Sequence, residues 1–165
     1  MSKDIKQTIN LNCTPKEFFH LMTNAAAHKK FTGAPAKLSK KVGSAFQTYG
    51  MHCQGMMLEL KDNKEIVQAW RGSNWPKGVF SVVSFKIAKN GSKTKVTMNH
   101  TGVPEKFSKD IKAGWTEHYW TPMKAHLKTA KATSPAKKTP TKKKAAAKGK
   151  TATKTKSTTT RKRAA

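Results

Sequence analysis

The chain has 165 residues, with 34 Lys and Arg against 8 Asp and Glu and a formal net charge of +26. That charge is unevenly placed: residues 128–165 hold 14 basic and no acidic side chains, which leaves 20 basic and 8 acidic, or +12, for residues 1–127. The balance excludes an acidic or membrane-spanning protein, since no apolar run approaches the ~20 residues that a membrane helix needs.

The first predicted element is a strand from Ile5 to Leu11, with Ile5, Gln7, Ile9 and Leu11 on one face. Thr14-Pro15-Lys16-Glu17 then reads as a helix start, with Thr14 as N-cap, Pro15 at the first position and Glu17 completing a capping box. Phe18, Phe19, Leu21 and Met22 supply its buried stripe, and a second short helix from Ala25 to Phe31 ends before Gly33 and Pro35.

From Ala36 to Pro104 the period changes to two. Phe46 and Thr48 alternate with Gln47 and Tyr49, and Met56, Leu58 and Leu60 are expected on one face of the next strand. Asp62-Asn63 offers a turn into Ile66, Gln68 and Trp70; Val83, Phe85 and Ile87 follow, and Asn90-Gly91 is a strong hairpin signal leading to Val96, Met98 and His100. The pattern predicts an antiparallel meander with one buried face.

The last ordered element is a helix from Phe107 or Ser108 to Leu127, with Ile111, Trp115, Tyr119, Met123 and Leu127 at i, i+4 spacing. Pro122 lies inside it and should distort it, because the bond to the His118 carbonyl has no donor. One strand, two short helices, a meander and a long C-terminal helix make an α+β domain over residues 1–127. Residues 128–165 hold no Trp, Tyr, Phe or Met, and too little apolar surface to offset the entropy of ordering.

Four stretches in order carry a resemblance: HKKFTGAPAKLSKKVGSAFQTYG (28–50), IVQAWRGSNWPKG (66–78), GVP (102–104) and GWTEHYW (114–120). Together they resemble the domain of the activator of the heat-shock protein 90 ATPase, a member of the START-like (SRPBCC) helix-grip superfamily, over about residues 5–127. The resemblance implies a curved antiparallel sheet wrapped around the C-terminal helix with an apolar cavity between them. It also implies a heat-shock protein 90-type chaperone as partner, or an apolar small molecule in the cavity.

Six histidines, His20, His28, His52, His100, His118 and His126, show neither HExxH nor CxxC spacing. His52 and Cys53 are adjacent on an expected strand, which points them to opposite faces and argues against a shared metal ion. No metal, cofactor or catalytic residue is therefore expected, although an enzyme using His100 and His118 in the cavity remains an alternative. Trp70, Phe85, Met98, Trp115 and Tyr119 are expected to line the cavity, and Arg71, Trp75 and Pro76 to form an exposed partner surface.

The C-terminal segment contains Ser134-Pro135-Ala136-Lys137 and Thr139-Pro140-Thr141-Lys142, which resemble the repeats of linker-histone tails. Lys137, Lys138, Lys142, Lys143, Lys144, Lys148, Lys150, Lys154, Lys156, Arg161, Lys162 and Arg163 are expected to neutralise phosphates of nucleic acid without reading bases. The predicted function is a non-enzymatic binding domain tethered to nucleic acid. The alternative is a DNA-compacting protein with the folded domain as anchor. MSKDIKQT lacks the apolar core of a signal peptide, and two cysteines without CxxC spacing fit a reducing compartment. A cytoplasmic location is expected, nucleoid-associated in a bacterium; in a eukaryote the basic clusters at 137–144 and 161–163 fit nuclear import signals.

Overall fold

The N-terminal strand β1 (Ser2–Leu11) is followed by two short helices, α1 (Pro15–Thr23) and α2 (Ala25–Thr32). Strands β2 (Ala36–Lys37), β3 (Ala45–Thr48), β4 (Cys53–Lys61), β5 (Glu65–Gly72), β6 (Ser81–Asn90) and β7 (Lys93–Pro104) follow. The chain then turns helical through α3 (Glu105–Gly114), a π-helical turn (Trp115–Trp120) and α4 (Thr121–Thr133). This computed structural model describes the backbone of residues 1–133 and the side chains of residues 1–130.

The strands form one antiparallel sheet in the order β1-β7-β6-β5-β4-β3-β2. Residues 5–11 of β1 pair with β7 from His100 to Thr94, so the first and last strands are neighbours, with β1 at the edge of the sheet. The inner face carries Ile66, Gln68 and Trp70 from β5, Val83, Phe85 and Ile87 from β6, and Val96, Met98 and His100 from β7, all buried. Trp115 of the π-helical turn packs against Trp70, Phe85 and His100, which seats the C-terminal helix in the grip of the sheet. The α+β helix-grip arrangement is the one anticipated from the sequence.

Local chemistry explains the element ends. The Glu17 amide donates to Thr14 Oγ1 at 3.2 Å and the Thr14 amide to a Glu17 carboxylate oxygen at 2.6 Å, a reciprocal cap worth about 1 kcal/mol. Gly33 ends α2 at φ +70, a conformation that glycine adopts without Cβ strain. In the β6–β7 hairpin Asn90 pairs with Lys93, so the two-residue loop is Gly91-Ser92, with Gly91 at φ +59.

Three features depart from the simple periodicities. In β4 the inward residues are Cys53 and Met57, whereas Met56 and Leu58 are exposed. Met57 pairs with Gln68 and Glu59 with Val67, which leaves Leu58 as an extra residue in a bulge; beyond it Leu60 faces Ile66 and the phase is reversed. Gly55 sits where a Cβ would lie 1.8 Å from the Ala69 carbonyl oxygen and 2.8 Å from the Phe46 ring, so no larger residue fits. The C-terminal helix, read from the sequence as ending at Leu127, runs from Glu105 to Thr133.

The third departure is the π-helical turn. The Thr121 amide reaches back to the Thr116 carbonyl, five residues away, immediately before Pro122. The extra residue rotates the helix so that Trp115, Tyr119 and Trp120 are all buried. Pro122 has no amide hydrogen for the His118 carbonyl, and the Tyr49 hydroxyl donates to that carbonyl instead. The distortion expected at Pro122 thus takes the form of a π turn, with a side chain from another element satisfying the freed oxygen.

Candidate functional site

The Thr48–Cys53 connection is the least ordinary backbone in the domain. Tyr49, Gly50 and Met51 have φ of +54, +62 and +76, a left-handed run in which two residues carry side chains. Its consequence is to swing Tyr49 over the C-terminal helix, where its hydroxyl meets the His118 carbonyl and its ring lies 5.6 Å from Tyr119. Tyr119 itself pairs with Thr48 Oγ1 at 3.2 Å.

Under this turn a cavity of about 480 Å³ opens between the ends of β4 and β5, the loop after β5, and the face of α3 and the π turn. Its walls are mostly aromatic: Tyr49, Trp70, Trp75, Phe107, Trp115 and Tyr119. His52, Cys53, Asn74, Asp110 and His118 add polar atoms, and Gly72, Ile111 and Gly114 complete the lining. A volume in this range matches the pockets that hold drug-sized molecules.

Three of the rings, Tyr49, Tyr119 and Trp115, are fixed by specific bonds. Trp115 Nε1–H donates to His100 Nδ1 at 3.0 Å. Ser81 Oγ lies 2.6 Å from His100 Nε2, and it donates its single hydrogen to the Trp70 carbonyl at 3.0 Å. Nε2 must therefore carry the proton of a neutral His100, whose two nitrogens are both engaged. Burial pushes the His100 imidazole down to about 3. Both ring nitrogens are engaged within the core, and His100 is not among the residues that line the cavity.

Three titratable groups of the wall, Cys53, Tyr49 and Tyr119, are also held neutral. Burial pushes the Cys53 thiol up to about 11, against a smaller opposing hydrogen bond from Thr48. The Tyr49 and Tyr119 phenols are pushed above their ordinary range, again chiefly by burial. Behind the tyrosines, His28 is buried among Phe31, Tyr49 and Tyr119, and burial drives it down to about 4. Trp75 is 4% exposed, yet its Nε1–H finds no acceptor among the described residues. An unpaired buried donor costs about 1–3 kcal/mol. The wall offers rings and one unmet hydrogen bond, and no activated nucleophile.

The residues anticipated from the sequence are only partly brought together. Trp70, Trp115 and Tyr119 line the cavity. Phe85 and Met98 do not: both are fully buried, and Phe85 packs against Phe18 and edge-on to Trp115, on the filled side of the core. Trp75, expected on an exposed partner surface, is buried in the cavity wall, edge-on to Trp70 and stacked on Phe107. Arg71 explains this placement, because its Nη2 donates to the carbonyls of Trp75 and Pro76 and folds the loop inward. Arg71 is half-buried beside the exposed Pro76 and Phe80.

His52 lies in the turn ahead of β4, where strand alternation does not apply, and it lines the cavity together with Cys53. Among the described residues no group of three or more His, Cys, Asp and Glu is placed to hold a metal ion. The α3 contribution had a signal in the sequence: Phe107, Ile111, Gly114 and His118 recur at three- and four-residue spacing beside the main stripe. The Tyr49 turn had none, because nothing in Thr-Tyr-Gly-Met demands φ > 0 at tyrosine. The lysines and arginines assigned to nucleic acid, Lys137 through Arg163, lie outside the described residues.

The family model described as "Activator of Hsp90 ATPase homolog 1-like protein" matches residues 12–128. The chain belongs to that family. It is 27% identical over 111 residues to the human Activator of 90 kDa heat shock protein ATPase homolog 1, covering 67% of this chain and 33% of that protein. With the Dictyostelium discoideum homologue it shares 30% identity over 115 residues, 69% of this chain and 30% of that protein. The chain thus matches about a third of the length of these curated relatives. An HSP90 activator from Plasmodium falciparum has the same fold, with a TM-score of 0.71 at 22% identity over 76% of this chain and 96% of that chain. So does the Aha1 dimer from Colwellia psychrerythraea, with a TM-score of 0.66 at 20% identity over 76% of this chain and 96% of that chain.

Proposed function

We propose that the folded domain is a non-catalytic binding module that works with a heat-shock protein 90-type chaperone, held on nucleic acid by the basic segment that follows it. The observation that carries the binding role is the cavity itself: an aromatic space of about 480 Å³ whose buried thiol and phenols are held in their neutral forms. Chemistry on a bound molecule needs a group poised near the working pH, and these are all moved away from it. The chaperone partner is supported by the family match over residues 12–128. A titration of the chain into a heat-shock protein 90-type chaperone, read as complex formation and as ATP turnover, tests it. Neither binding nor a change in turnover at tens of micromolar would remove the chaperone from the proposal.

The nucleic-acid tether rests on composition alone: residues 128–165 hold 14 basic and no acidic side chains. Lysines that neutralise phosphates release counterions, so affinity is expected at roughly 10⁻⁴ to 10⁻⁶ M and falls steeply with salt. Removing residues 134–165 should abolish salt-sensitive retention on DNA and leave the unfolding midpoint unchanged. Equal retention by the shortened chain would place the contact on the folded domain. Compaction of DNA by the isolated segment, matching that by the whole chain, would favour the anchor alternative.

A second reading is favoured by the hollow itself: a small apolar molecule occupies the cavity. Gly114 offers a direct test. It lies in ordinary helical geometry on the cavity wall, and a Cβ there would meet only His118 Cδ2, at 3.8 Å. Gly114→Leu should fill the space and displace a co-purifying ligand seen by native mass spectrometry.

A further inference from the structure

The cavity has an electrostatic character that its apolar appearance hides. Six aromatic residues line it: Tyr49, Trp70, Trp75, Phe107, Trp115 and Tyr119. Aromatic faces carry negative potential and attract cations within about 6 Å of the ring centre. Asp110 is the only Asp, Glu, Lys or Arg among the described residues that line the space. It is exposed, which sets it at the mouth, and it takes part in none of the ion pairs among the described residues. This carboxylate stands beside an aromatic box.

Cys53 and the two tyrosine phenols stay protonated at neutral pH, so they add no charge of either sign. No lysine or arginine among the described lining residues is available to pair with a carboxylate, sulfate or phosphate on a ligand. An anion entering this space would leave water for aromatic walls and a fixed carboxylate, with no lysine or arginine among the described lining residues to pair with. A cation would exchange its water for ring faces and meet Asp110 at the rim. The positive charge of the domain as a whole does not reverse this preference, because it is screened beyond about 8 Å at physiological ionic strength.

We infer that the ligand of this cavity is a ring-bearing organic cation: a flat apolar skeleton seated among Trp70, Trp75 and Trp115, with an amine or quaternary ammonium directed to Asp110. The inference rests on the cavity being a ligand site, as in the second reading above. An oxygen or ring-nitrogen acceptor on the skeleton would also meet the unpaired Trp75 Nε1–H.

Three probes that share one ring and differ in charge test it: naphthylmethylamine, naphthylacetamide and naphthylacetate, each titrated calorimetrically into the full chain at physiological salt. The amine should bind about tenfold more tightly than the amide, as one cation–π contact plus one rim ion pair implies, with the acetate weakest. Asp110→Asn should bring the amine within about twofold of the amide and leave the amide itself unchanged. Gly114→Leu should remove the binding of all three; acetate binding that survives there belongs to the basic C-terminal segment. Acetate preferred over amine at the Gly114-sensitive site, or an amine-to-amide ratio unmoved by Asp110→Asn, would overturn the charge inference and leave the cavity standing. Binding of all three unaffected by Gly114→Leu, or no binding to the unmodified chain, would overturn the cavity as a site for ring ligands.

Discussion

Toward β6 and β7, the space under the sheet is filled. Phe18, Phe85, Val96 and Met98 are wholly buried there, and the rings of Phe18, Trp115 and Trp120 close around Phe85. Toward β4 and β5, the same C-terminal helix leaves a cavity of about 480 Å³. The two regions differ in what fixes their side chains. Valine, methionine and phenylalanine have no polar atoms to satisfy, so they settle wherever packing is densest. Trp115 is tied to His100, Tyr119 to Thr48 and Tyr49 to the His118 carbonyl, and a ring held by a directed bond does not slide into a neighbouring gap. The hollow persists because its walls are pinned.

The largest effect should come from the filled side. Phe85→Ala removes a fully buried ring with three aromatic neighbours and should cost about 3–5 kcal/mol in urea unfolding. A loss below about 1 kcal/mol would mean that this side repacks freely, and the contrast with the cavity would fail.

Acid should strike the pinned walls next. Folded His28 and His100 are held down to about 4 and about 3, and the unfolded imidazole titrates near 6.5. Between these values the unfolded chain binds protons that the folded chain refuses, so stability present above pH 6.5 is lost as pH falls. At pH 5 the loss should reach about 2 kcal/mol for each histidine. His28→Leu should remove its part of the drop and, by deleting an unpaired buried nitrogen, cost little at pH 7. An unaltered drop between pH 7 and pH 5 in that variant would show that His28 is not held neutral.

The legibility of the two regions in the sequence follows the same division. A strand with one dry face must alternate, so Ile66, Gln68 and Trp70, Val83 and Phe85, and Val96 and Met98 announce their inward face. The i, i+4 stripe from Trp115 to Leu127 does the same for the helix. The hollow depends on departures from periodicity. The Leu58 bulge reverses the phase of β4, the π turn adds Trp120 to the buried face, and the left-handed Tyr49 turn lays a ring over the helix. Arg71 then draws Trp75 inward through two loop carbonyls. None of these follows a simple period: the Tyr49 hydroxyl finds its partner 69 residues away, and the π turn and the Arg71 loop are local but aperiodic. That is why Phe85 and Met98 resemble cavity residues in the sequence, whereas Trp75 resembles a surface one.

The bond between Tyr49 and the His118 carbonyl gives a smaller, more specific effect. Tyr49→Phe should cost about 1 kcal/mol, since the carbonyl then has neither the hydroxyl nor an amide at residue 122. Pro122→Ala supplies that amide. In a double-mutant cycle the cost of Tyr49→Phe should therefore shrink toward zero in the Pro122→Ala background. Equal costs in both backgrounds would separate the tyrosine from the proline.

The smallest expected change in stability belongs to Gly114→Leu, and it bears most directly on the contrast. Gly114 has φ −58 and ψ −38, so a side chain there brings no backbone strain. Replacing a helical glycine gains up to about 1 kcal/mol in propensity. The new side chain would leave water for apolar walls, a further favourable contribution. At its Cβ the new side chain would meet His118 Cδ2 at 3.8 Å, an ordinary contact. On the filled side an added leucine would force neighbours off their rotamers and cost about 1–3 kcal/mol. At Gly114 the unfolding midpoint should hold or rise, while the aromatic cavity loses the room to bind. A destabilisation of 2 kcal/mol or more would mean that the walls cannot accept an occupant at all, and the hollow would then be a packing fault of this helix grip with no capacity for a ligand.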